Sequence, residues 1–180
     1  MVEKEGIKPR PYTVRMMANM TMMLSLMIVL SMVEHMLPPL PMAPPGVRLG
    51  LANIVTMYTL FFLGWREALT LNALKAVFIL MARGPMAGLL SFCGGLVSVL
   101  LIILLLFISR NKASYLILSV TGAIGHNFSQ IITASIILNT NLMILYWPVL
   151  LFFGVVTGSV TGTLLRVVMP YMDGVFCGRK

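Results

Sequence analysis

The chain has 180 residues, of which 59% are hydrophobic and 10% charged, against about a quarter charged in a soluble domain. Its 13 basic and 5 acidic side chains cannot clothe a soluble surface, and six membrane helices of about 20 residues leave no room for a separate catalytic domain. The net charge of +8 would suggest nucleic acid in a soluble protein, but basic residues also gather on the cytoplasmic side of membrane proteins, so lipid bilayer and no nucleic acid is expected.

Helix 1 is expected over about Val14 to Leu37, after a basic segment holding Lys4, Lys8, Arg10 and Arg15. The run is longer than a signal-peptide core and lacks a small-residue cleavage site. The prolines from Pro38 to Pro45 end it in a stiff loop. Helix 2 follows from about Leu49 to Leu63 and breaks at Gly64-Trp65-Arg66-Glu67; helix 3 runs from about Ala68 to Ala82 and breaks at Arg83-Gly84-Pro85. Helix 4 covers about Met86 to Ile108, helix 5 about Tyr115 to Leu138, and helix 6 about Leu142 to Val168, ending near Pro170.

With both ends in the cytoplasm, ten lysines and arginines fall inside and two, Arg48 and Arg83, outside; Lys75 lies within helix 3. This asymmetry satisfies the positive-inside rule. The fold expected is an all-α integral membrane protein of six transmembrane helices with both termini cytoplasmic. Residues 1–13 and 169–180 are its tails, 14–168 is the bundle, and the location is the cell membrane with multiple passes.

Absent motifs limit the chemistry. There is no phosphate-binding Gly-x-x-x-x-Gly-Lys-Ser/Thr loop, no His-Glu-x-x-His and no Cys-x-x-Cys, and Asp173 is the single aspartate. No enzyme activity, cofactor or metal is expected. Polar groups sunk in apolar helices are instead the functional candidates. Helix 5 places His126 and Gln130 four apart and Asn127 and Gln130 three apart, on one face. That face either binds a polar ligand or serves as interhelical glue. Lys75 is either a pocket residue or snorkels to an interface. Glu34, Arg48 and Asn53 flank the proline loop, where Glu34 and Arg48 either form an ion pair or contact ligand; any cation facing a pocket favours an anionic ligand. Helix 6 carries Gly154, Gly158 and Gly162 at four-residue spacing and helix 1 carries Thr21 and Ser25. Small residues at this spacing let helices approach closely, and both stripes are candidate partner interfaces, the helix-6 stripe facing either another chain or a helix of its own.

Glu34-His35-x-x-Pro38, the run Pro45 to Ile54 and Gly125-His126-Asn127-x-x-Gln130 resemble the Gx transporter family, also labelled heptaprenyl diphosphate synthase component I. That family is grouped with the substrate-binding S components of energy-coupling-factor transporters. The resemblance extends from about Met17 to Leu165. It implies an S-component-like bundle with a pocket opening outward beneath the loop between helices 1 and 2. It further implies a transmembrane coupling subunit and two cytoplasmic ATPases as partners, and a small-molecule substrate that is vitamin-like or isoprenoid-related. S components often carry Ala-x-x-x-Ala on helix 1, where this chain has Thr21-x-x-x-Ser25. The synthase label implies the alternative role of a non-catalytic membrane subunit in heptaprenyl diphosphate synthesis.

Overall fold

A computed structural model describes residues 14–36, 50–110, 113–140 and 142–176. They form six α-helices and no strand: α1 Val14–Met36, α2 Leu51–Phe62, α3 Trp65–Arg83, α4 Pro85–Ile108, α5 Tyr115–Leu138 and α6 Leu142–Phe176. The proline loop and Arg48 lie outside the described residues. Among the described residues, three segments are long and apolar enough to cross a membrane: Met16–Met36, Pro85–Ile108 and Tyr146–Pro170. α5 has the same 24 residues as α4, but its polar stripe dilutes its hydropathy. α3 carries Arg66, Glu67, Lys75 and Arg83. α2, at 12 residues, is only about 18 Å long.

Local chemistry explains where the helices stop. Ser114 caps α5, its Oγ accepting the Ile117 N–H at 3.4 Å, and Asn139 ends the helix in the left-handed conformation, which asparagine tolerates better than most residues. The broader breaks expected on either side of α3 narrow to single glycines, Gly64 at φ 131° and Gly84 at φ 90°. Pro85 opens α4 at a position where its missing N–H has no intrahelical partner to lose. α3 begins at Trp65 rather than Ala68 because Glu67, buried in its first turn, folds back over Gly64 and places its charge at the positive helix end.

The expected end of helix 6 near Pro170 is not observed. α6 passes through both Pro148 and Pro170 and continues to Phe176. Each proline removes one backbone hydrogen bond and strains the preceding turn. At Pro148, inside the apolar span Tyr146–Pro170, opening the helix would strand several more N–H and C=O groups, so continuing is the cheaper solution.

Successive helices from α3 to α6 pack as antiparallel neighbours, α1 lies against α2 and α3, and α2 touches α6. The buried core joins Met23 and Met27 of α1 to Tyr58, Leu71, Val99, Ile102, Leu118 and Leu165. The α5–α6 seam depends on the glycine stripe. A Cβ built on Gly154 would stand 3.2 Å from the Ile124 Cα, one on Gly158 2.5 Å from the Val120 Cα, and one on Gly162 3.0 Å from the Leu116 Cα. The expectation that Gly154, Gly158 and Gly162 form an interface with another chain is therefore corrected: the stripe is occupied by α5 of the same chain, where backbone contact leaves no room for a second helix. Thr21 and Ser25 lie on the exposed face of α1. Their hydroxyls bond to the carbonyls of Met17 and Thr21 in their own helix, each at 3.0 Å.

One side-chain bond crosses the α5–α6 seam, between the Ser119 and Thr161 hydroxyls at 2.6 Å. Thr161→Val keeps the volume and removes this bond. We expect a loss of about 1 kcal/mol, read as a fall of a few degrees in the thermal midpoint of the detergent-solubilised protein.

Candidate functional site

The side of α5 facing away from lipid follows the helical repeat: Ser119, Gly122, Ala123, His126, Asn127, Gln130, Ile131 and Ala134 recur at intervals of one, three and four residues. They form one wall of a cavity of about 480 Å³, closed by residues from the other five helices. Of the candidates read from sequence, Glu34, Asn53, Lys75, His126, Asn127 and Gln130 all line it, as does Arg83. Arg48 lies outside the described residues, and so does any ion pair it makes with Glu34. The Glu34 carboxylate instead receives the backbone N–H of Gly50 across the gap between α1 and α2. The Asn53 N–H donates to the Gly50 carbonyl at 2.9 Å, fixing the first turn of α2.

Lys75 is 3% exposed and lines the cavity within electrostatic reach of Glu34. The snorkelling alternative is thereby set aside, since its ammonium turns to the interior rather than along the helix to an interface. An ammonium held in such surroundings is costly unless a partner of opposite charge or several acceptors meet it. Behind it, Asn72 packs flat over Gly95 and donates through Nδ2 to the Phe92 carbonyl at 3.3 Å. That bond ties α3 to α4 and is the glue expected of a buried amide.

A Cβ built on Gly94 would meet the His126 Cε1 and Nδ1 at 2.8 Å and the Gln130 Cγ at 3.0 Å, so the absence of a side chain at Gly94 is what seats both residues. The buried Nδ1 of His126 and Nδ2 of Asn127, like the Oδ1 of Asn72, have no hydrogen-bond partner among the described residues, although the imidazole as a whole interacts with the Gly94 backbone. A buried donor or acceptor left unmet costs about 1–3 kcal/mol. The side chains of His126, Asn127 and Lys75 line the same space, which can accept a polar group.

Sequence reasoning did not single out the hydroxyls of Ser31, Ser91, Ser98, Ser119, Thr157 and Thr161, which also line the cavity. Ser119 was within reach, because it continues the His126 stripe by two helical turns. Serines and threonines elsewhere in apolar helices give no such contrast, since their hydroxyls can bond to their own helix, as Thr157 and Thr161 do.

No curated protein and no solved structure matches the chain. The family model described as heptaprenyl diphosphate synthase component I matches residues 23–168. These residues run from the buried Met23 to the second-last turns of α6 and include every cavity-lining residue, and on this match the chain belongs to the heptaprenyl diphosphate synthase component I family.

Proposed function

We propose that the chain is the substrate-binding S component of an energy-coupling-factor transporter. Its six helices lie in the cell membrane with both ends in the cytoplasm, and the cavity captures a small molecule at the outer face. The reading is carried by one observation: Lys75, His126 and Asn127 line a single cavity, and the Nδ1 of His126 and Nδ2 of Asn127 have no hydrogen-bond partner among the described residues. The chain has no phosphate-binding loop, so energy comes from two cytoplasmic ATPases through a transmembrane coupling subunit. The protein itself is not an enzyme. The exposed face of α1 around Thr21 and Ser25 is the docking surface, because these hydroxyls are already bonded within α1 and stand among the exposed apolar side chains of Met17, Met22 and Val29.

A second reading is favoured by the family description, which names a synthase component: a non-catalytic membrane subunit of heptaprenyl diphosphate synthesis. Synthases that hold a magnesium diphosphate need clustered carboxylates, and this chain has one aspartate, so the catalytic residues would belong to the partner. Purification from native membranes in mild detergent, followed by protein mass spectrometry, separates the two. Co-purifying coupling subunit and ATPases are expected; a soluble prenyl synthase in their place would establish the second reading.

A further inference from the structure

The cavity is a shaft with two unlike ends. Its lining on α5 runs from Ser119 to Leu138, about 28 Å of helix at 1.5 Å per residue. The packing register sets what stands at each level. Ser98 approaches Gly122, His126 lies against Gly94, and Ser119 stands beside Gly162 and Thr161. The Ser119 end and the middle of the shaft are thus polar, while beyond Gln130 the walls are mostly apolar, with Ile79, Leu90, Ile131, Ala134 and Leu138, and Ser91, Arg83 and Tyr146 are polar members there.

We propose that the shaft takes a carboxylate-headed amphiphile head first, the carboxylate at Lys75, Asn127 and Gln130 and the hydrocarbon lying along Ile131, Ala134 and Leu138. This rests on the reading of the cavity as a ligand site and specifies the ligand's chemistry. The polar middle is rich in donors: the Lys75 ammonium, the unmet Nδ2 of Asn127 and the Gln130 amide. The lining carries two cations, Lys75 and Arg83, against one carboxylate, Glu34, which also accepts from Gly50. An acceptor-rich anionic head supplies what the middle lacks, and one ammonium matches one carboxylate. From Gln130 to Leu138 the apolar part measures about 12 Å, enough for a saturated tail of about eight to ten carbons.

The test is equilibrium dialysis of radiolabelled butanoate, octanoate, decanoate and hexadecanoate, and of 1-octanol, against the chain in nanodiscs, with empty nanodiscs as the blank. Affinity is expected to rise about threefold to fourfold per methylene from butanoate to decanoate. A plateau beyond decanoate identifies a water-soluble acid; a continued rise to hexadecanoate identifies the same chemistry drawn from the bilayer. Lys75→Met should weaken octanoate at least about tenfold and 1-octanol far less. Ala134→Trp, which fills the tail end and spares the charge, should weaken decanoate about tenfold and leave butanoate unchanged. Acid binding that depends on Lys75 but neither on chain length nor on Ala134 overturns the amphiphile and leaves the cavity a ligand site. Binding of none of these probes overturns the amphiphile, and if the chain purified from its native membranes also carries no small molecule, the ligand site falls with it.

Discussion

Gly158→Leu is expected to abolish the folded bundle. A Cβ at this position stands 2.5 Å from the Val120 Cα and 3.0 Å from its nitrogen, and backbone atoms of a packed helix cannot swing aside as a flexible side chain does. Overpacking in a core costs about 1–3 kcal/mol when neighbours can yield; here the whole of α6 must move off α5. That separation opens the contacts at Gly154 and Gly162 and the Ser119–Thr161 bond together. The readout is loss of the monodisperse peak in size-exclusion chromatography of the detergent extract. Val160→Leu, two residues away at a position 42% exposed, should change stability by less than about 0.5 kcal/mol.

Gly94→Val tests the site with the bundle intact. The added methyls project where His126 and Gln130 now lie, with closest approaches of 2.8 and 3.0 Å already at the Cβ. Both contacts are to side chains that border the cavity, so the imidazole and amide can yield, and the direction open to them is inward. We expect ligand retention to fall at least about tenfold through the filled space and the misplaced donors, with thermal stability lowered by about 1–2 kcal/mol. Adding His126→Ala to Gly94→Val should restore the stability by vacating the clash, without restoring full retention.

Much of this arrangement was legible in the sequence because the same physics sets both patterns. Four of the six helices fall near the expected boundaries, and α5 covers Tyr115–Leu138 as read, since serine and asparagine caps mark its ends. The His126–Asn127–Gln130 face stood out because amide and imidazole groups are expensive among apolar neighbours, and the structure brings Glu34, Asn53 and Lys75 to the same cavity. The partner of the glycine stripe was not legible. Small residues at four-residue spacing state that something approaches closely, and only the packed bundle reveals that it is α5. The extension of α6 past Pro170 was missed because proline was read as a helix end, whereas its ring removes one backbone hydrogen bond without obliging the helix to stop. The lining hydroxyls were missed because a serine or threonine that can bond to its own helix carries no burial cost that sequence would register.

The measurement that bears most directly on the cavity is native mass spectrometry of the chain released from the membranes that made it. The account expects the parent protein to carry a small molecule in near one-to-one amount, and a Lys75→Met, Asn127→Leu variant of equal monodispersity to fly bare. A parent chain at its bare mass, or a variant that keeps the same adduct, would contradict it.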